Sequence, residues 1–289
     1  MSETRKIRTG DGITLHTELW QPEGEVRFVV CIVHGQGEHV GRYDRVAREL
    51  NAMGGLVFGP DHRGQGRSGG APGYVDRFER YADDLLLVLR DYSKLLGEAG
   101  EPGKVPWFLW GHSMGGLITL IYLLDHERDL PLRGAVISSP LVGLAIKVGF
   151  VKQHLVRLVA KLLPRLPVPT GLDPATICRD PEEVSRYASD PRRVPPVTPS
   201  WAVAMEDATV RVNAEVRRLQ LAMHWFVGTG DLICDHKATE DAFATLADPG
   251  GNDQSIRVWP GYYHELHNEP DEYREPVMAE VRGWLAARL

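Results

Sequence analysis

Four short apolar runs, RFVVCIV (27–33), GLVFGP (55–60), VPWFLWG (105–111) and AVISSP (135–140), recur along the first half of the chain. Each is continuously apolar, as a strand covered on both faces requires. Between them lie segments of helical spacing: residues 41–53, FERYADDLLLVLRDYSKLL and MGGLITLIYLLDH. Strands separated by helices join one sheet as parallel neighbours through crossovers, which puts helices on both faces. Ahead of them, KIRT, the Asp11-Gly12 turn and ITLHTELW read as a hairpin.

The alternation stops after residue 140. From 141 to 218 there is no clear strand, and prolines cluster in LPRLPVPTGLDP and RRVPPVTPS. It resumes with LAMHWFVG (221–228), a helix near 236–247, SIRVW (255–259) and a C-terminal helix. The expected organisation is an α/β core built from 1–140 and 219–289, with a mostly parallel central sheet flanked by helices. Residues 141–218 are expected to form an inserted, mainly helical cap.

Composition narrows the function classes. A net charge of −6 argues against nucleic acid as a partner, because phosphate binding calls for a basic field. Cys31, Cys178 and Cys234 are sparse and form no C-x-x-C pair, a pattern of a reducing compartment. MSETRKIRTGDG lacks the apolar run of a signal peptide, and no apolar stretch approaches membrane-spanning length. A cytoplasmic protein is expected.

Residues 109–116, LWGHSMGG, place Ser113 where an apolar strand ends and a helical pattern begins. In that context G-x-S-x-G is a tight turn that projects the serine oxygen, with Gly111 and Gly115 kept free of side chains by their close approach. A serine needs a base and an orienting acid, expected in the order Ser, Asp/Glu, His, each in a loop after a strand. Asp231 follows one late apolar run, and His264 and His267 follow the next. Asp235 is the alternative acid, although it reads better as a helix N-cap; His267 is the alternative base, although His264 lies nearer the strand end. The oxyanion donors are expected to be the backbone N–H groups of Met114 and, from the loop HGQG, Gln36. HELH falls short of a zinc helix, because H-E-x-x-H needs histidine where Asn268 stands, and HGQGEH fails likewise. No metal and no cofactor are expected.

With these pieces in place, the chain resembles the monoacylglycerol lipase branch of the α/β-hydrolase family. The matching stretches are HGQGEHVGRY (34–43), DHRGQGRSGG (61–70), GHSMGG (111–116), SPL (139–141), GTGDLICD (228–235) and PGYYHELHNE (260–269). The resemblance implies the triad Ser113, Asp231 and His264, and an oxyanion hole from Gln36 and Met114. It further implies that Glu38, Arg42 and His267 surround the polar end of a small lipid ester substrate, with Cys234 beside the pocket. Hydrolysis of monoacylglycerols is the activity expected. Lysophospholipids or simple carboxylic esters are the alternative substrates, and a non-catalytic ligand-binding protein is the reading outside catalysis. On residues alone, Glu38 and Arg42, four apart, read as an ordinary surface pair.

The cap segment has its own signature. Residues 141–172 contain no Asp or Glu but include Lys147, Lys152, Arg157, Lys161 and Arg165. In LAIKVGFVKQHLVRLVAKLL the polar residues form a narrow stripe, so the apolar face is wider than packing on a core demands. The surplus is expected to line an acyl groove, to meet a membrane or micelle surface transiently as a peripheral contact, or to be covered by neighbouring cap segments or by a second copy of the chain.

Overall fold

The computed structural model describes residues 2–146, 149–246 and 253–289. Along the chain the elements are β1 (Glu3–Arg8), β2 (Thr14–Trp20), β3 (Phe28–Val33), α1 (Asp44–Asn51), β4 (Gly55–Pro60), α2 (Glu79–Leu96), β5 (Trp107–His112), α3 (Met114–His126) and β6 (Gly134–Ser138). Then follow α4 (Phe150–Leu162), β7 (Val168–Pro169), α5 (Pro181–Ser189), β8 (Pro196–Val197), α6 (Pro199–Glu215), β9 (Met223–Gly228), α7 (His236–Ala244), β10 (Ser255–Trp259) and α8 (Asp271–Ala286).

Eight strands form one sheet in the order β1-β2-β4-β3-β5-β6-β9-β10. The hairpin partners β1 and β2 are antiparallel, and β2 runs antiparallel to β4. All pairings from β4 through β10 are parallel. The doubly covered strands explain the continuous apolar runs. On β3, Val29, Cys31 and Val33 join the core beneath α2 and α3, while Phe28, Val30 and Ile32 join the core beneath α1 and α8. Every residue of β3, β4 and β5 is buried.

Between β6 and β9 the described residues form three α-helices, two short 3-10 turns (Pro174–Thr176 and Val216–Arg218) and one two-residue antiparallel pair, β7 with β8. This pair is a strand contact that the sequence pattern missed, since two residues carry no periodicity. Asp180 and Thr198 cap α5 and α6, each followed by proline at the first helical position. Trp201, Ala204, Ala208 and Val212 of α6 are buried in the core beneath α2 and α3. Of the basic residues read in 141–172, Lys147 and the side chain of Lys152 lie outside the described residues. Among the described residues, no helix is long and apolar enough to cross a membrane.

Candidate active site

Parallel strands deliver their C-terminal ends to one edge, and the loops there carry the site. Ser113 stands between β5 and α3 with φ 56° and ψ −120°, a left-handed conformation that a serine adopts at a cost of about 1–3 kcal/mol. Its backbone is fixed from both sides. Ser113 N donates to Ser138 O at 2.9 Å, and Ser113 O accepts from Gly116 N, Leu117 N and Leu141 N. The flanking glycines are dictated by close approach. A Cβ at position 115 would stand 1.8 Å from the Val33 carbonyl oxygen, and one at 111 would stand 2.6 Å from Gly115 O.

Asp231 lies in the loop after β9. Its Oδ1 accepts from Ile233 N at 2.8 Å and Cys234 N at 2.9 Å, which closes a tight turn. His264 lies in the loop after β10, and its Nδ1 meets Asp231 Oδ2 at 2.6 Å. The two loops lie backbone to backbone, with Gly230 N donating to Tyr262 O at 2.9 Å. A Cβ at Gly228 would stand 2.2 Å from that same oxygen. Ser113, Asp231 and His264 are all buried, at 8%, 6% and 4% exposure. The Asp231 carboxylate accepts from Nδ1, which leaves Nε2 as the base. Burial disfavours the His264 cation, but Asp231 outweighs it and holds the pKa above the ordinary histidine value. Cys234 adjoins both acid and base: its Sγ, a His264 ring nitrogen and an Asp231 carboxylate oxygen lie within 4.8 Å of one another. Asp235, the alternative acid, caps α7 through a bond from Lys237 N at 2.9 Å.

The loop after β3 runs against the serine. A Cβ at Gly35 would come within 3.2 Å of Ser113 Cβ. Among the described residues, neither Gln36 N nor Met114 N is paired with a protein acceptor. The Gln36 side chain is engaged elsewhere, donating to Val194 O at 3.3 Å and accepting from Gln65 Nε2 at 2.8 Å. Two free N–H groups beside a hydroxyl and a histidine base are what acyl transfer through a tetrahedral oxyanion requires.

Glu38 and Arg42 are no surface pair. The Arg42 Nη1 donates to Glu38 Oε2 at 2.9 Å and to Glu265 Oε1 at 2.7 Å. Its Nη2 donates to Glu183 Oε1 at 2.8 Å and to Glu265 Oε2 at 2.6 Å. One buried guanidinium thus serves three carboxylates, from the loop after β3, from α5 and from the residue beside His264. Glu38 also accepts from Gly35 N at 2.5 Å and Tyr43 OH at 3.0 Å. Burial, with Glu265 close by, raises Glu38 to about 7. Arg42, against the effect of burial, holds Glu265 well below the ordinary carboxylate range. His267 packs on Tyr43 with ring centroids 5.0 Å apart and lies 4.9 Å from His112. Burial lowers it to about 3, so it is neutral. Among the described residues, both its ring nitrogens and His112 Nε2 are buried without a hydrogen-bond partner.

Sequence reasoning did not single out Glu265, Glu183 or the contacts that residues 177–194 make with the site. Glu265 N donates to Ile177 O at 2.7 Å. Arg179 N and Tyr263 N donate to opposite oxygens of Glu269, each at 2.9 Å. The Arg179 guanidinium lies 4.2 Å from the Tyr273 ring centre and bonds Gly261 O. His39 Nε2 meets Asp190 Oδ2 at 3.0 Å. The His264 loop is therefore stitched to the segment before α5 along most of its length.

The parallel sheet, the strained serine turn after β5, and the acid and histidine after β9 and β10 define an α/β-hydrolase with a serine-hydrolase constellation. The family profile described as serine aminopeptidase, S33, matches residues 24–271, and the chain belongs to that family. It is 31% identical to monoglyceride lipase of Rattus norvegicus, over 96% of this chain and 89% of that protein. It is 30% identical to monoacylglycerol lipase of Mycolicibacterium smegmatis, over 96% of this chain and 95% of that protein. A soluble variant of Saccharomyces cerevisiae monoglyceride lipase, solved with a substrate analog, superposes with a TM-score of 0.85. That match is 26% identical and covers 99% of this chain and 96% of the yeast one. The chain is a carboxylic ester hydrolase of this family.

Proposed function

We propose that the protein hydrolyses monoacylglycerols to fatty acid and glycerol through an acyl-enzyme on Ser113. The observation that carries the chemistry is the 2.6 Å contact of His264 Nδ1 with Asp231, in the loops that flank the serine turn. His264 Nε2 takes the Ser113 proton as the hydroxyl attacks the ester carbonyl, and Asp231 stabilises the resulting imidazolium. Gln36 and Met114 N–H groups receive the oxyanion. His264 then protonates the leaving glycerol, and water repeats the sequence on the acyl-enzyme.

The substrate class rests on the relatives' substrates together with two features of the site. The unpaired buried nitrogens of His267 and His112 are donors and acceptors that a hydroxyl-bearing headgroup would satisfy. Glu38 and Arg42 stand beside them, but the Arg42 donors are taken by carboxylates. Its part is to hold Glu38 and the His264 loop in register around the headgroup. Residues 141–218 serve as the cap over the acyl chain. Three unpaired buried cysteines support a reducing, cytoplasmic location.

The test compares turnover of a monoacylglycerol, the corresponding diacylglycerol, a lysophospholipid, a short p-nitrophenyl ester and an aminoacyl anilide. A kcat/KM for the monoacylglycerol that exceeds the diacylglycerol and lysophospholipid values by about tenfold or more is the expected result. Preference for the lysophospholipid would replace the headgroup, and turnover of the anilide alone would move the protein to the peptidases of its family.

Peripheral membrane contact is part of the same reading. Ile146, Leu155, Leu158, Leu162, Leu163 and Leu166 are all exposed, Ile146 at 75% and Leu162 at 71%. Lys161 and Arg165 sit among them, and Arg165 lies over the Tyr74 ring. Leu158→Asp with Leu162→Asp is expected to reduce co-sedimentation with anionic lipid vesicles by about fivefold or more. Turnover of a water-soluble short ester should be unchanged, and equal sedimentation of variant and parent would remove the membrane contact.

A further inference from the structure

We infer that the triad doubles as a trap for a soft divalent cation, held by Cys234 Sγ, a His264 ring nitrogen and an Asp231 carboxylate oxygen, and that occupancy shuts the enzyme off. These three atoms lie within 4.8 Å of one another, on residues that are all buried. The arrangement follows from the local fold. Asp231 Oδ1 accepts from Cys234 N, so the turn brings the thiol back over the carboxylate, and Oδ2 reaches the His264 ring.

Thiolate, imidazole and carboxylate suit zinc or cadmium, which take four ligands at about 2.0–2.3 Å in the case of zinc. Magnesium and calcium, which want six or more oxygens, find no such set here. Binding forms a sulfur–metal bond and breaks the thiol S–H bond, the proton leaving to solvent; no electron is transferred. The cation withdraws the His264 lone pair and neutralises Asp231, and these are the two features that activate Ser113. This site is inhibitory and supplies no step of hydrolysis.

The inhibition part rests on the ester-hydrolase reading; the binding part does not, and the experiment separates them. Chelator-treated full-length protein is titrated with cadmium alone, followed by the ultraviolet charge-transfer band of a cadmium thiolate. Zinc alone is titrated against turnover of a short ester, each variant being scaled to its own metal-free rate. The parent should develop the band and lose turnover with zinc but keep it with magnesium. Cys234→Ala should lose the band and require about tenfold or more zinc for half-inhibition. Cys31→Ala and Cys178→Ala should match the parent. His264→Ala should retain a band but bind cadmium about tenfold or more weakly. A band that survives in Cys234→Ala, or equal zinc sensitivity there, overturns the site; unaltered cadmium affinity in His264→Ala overturns the three-donor arrangement. Cadmium binding without any metal-free turnover would retain the site and discard the ester-hydrolase reading. Cys234→Ser, which preserves volume, repeats the test should the alanine variant fold poorly.

Discussion

Ser113→Ala removes ester hydrolysis and labelling by a serine-reactive fluorophosphonate, a loss on the order of 10⁴- to 10⁶-fold in kcat. The fold survives, because the turn is held by backbone bonds to Ser138, Leu141 and the first turn of α3, none of which uses the hydroxyl. An unfolding midpoint close to the parent's is therefore part of the prediction. Asp231→Asn is the sharper companion. It costs about 10⁴-fold, because the amide cannot hold the imidazole with Nδ1 protonated. It also shifts the pH profile. Asp231 holds His264 above the ordinary histidine value, against the opposing effect of burial. Only the neutral imidazole accepts the serine proton, so parent kcat/KM rises with pH through that raised pKa. Without the carboxylate the cation is less stable, and the acid limb of the residual activity moves to lower pH. Ester turnover in Ser113→Ala above about a hundredth of the parent's would displace the serine from its role, and an unmoved acid limb in Asp231→Asn would dissociate the acid from the base.

The legibility of this site follows sequence distance. Ser113, Gly111 and Gly115 were readable because the constraint is local: a strand, a turn that tolerates no side chain, and a helix lie within one short stretch. Asp231 and His264 were readable as positions, each just past an apolar run, because parallel strands deliver their ends to the same edge. Asp235 reads as a helix N-cap, and it caps α7. Glu265 behaves differently. It sits inside HELH, a tetrapeptide tested only for zinc spacing, and its partner Arg42 lies 223 residues away. No local pattern encodes such a pairing. The same blindness covers Glu183, Asp190 and Arg179, whose meaning lies wholly in what they touch across the molecule. It also explains why the i, i+4 spacing of Glu38 and Arg42 suggested a solvated pair. That spacing says nothing about burial, and here it is burial that changes the energetics from negligible to large.

Arg42→Met is expected to be the most destabilising single change near the site. The methionine stem fills much of the same space, so the effect isolates the charge. Removing the guanidinium leaves the buried Glu38 and Glu265 facing each other without that cation, while the partly buried Glu183 keeps Arg186. Breaking a buried ion pair from one side costs about 3–5 kcal/mol, because the remaining charge is neither hydrated nor paired. The deficit depends on pH, and its sign can be worked out. In the variant, burial and mutual repulsion raise the carboxylate pKa values above their unfolded values, so the folded state binds more protons than the unfolded one. Stability then falls as pH rises, and the deficit measured by urea unfolding is larger at pH 8 than at pH 5. Adding Glu38→Gln and Glu265→Gln to Arg42→Met should recover much of the loss, since the two unpaired buried charges are gone. Turnover need not return with stability, because the Glu265 contact that fixes the residue beside His264 is still missing. A deficit under about 1 kcal/mol at pH 8 would mean that Glu38 and Glu265 reach water once the guanidinium is removed. In that case the buried network would not be what binds the loop after β3, the histidine loop and α5 together.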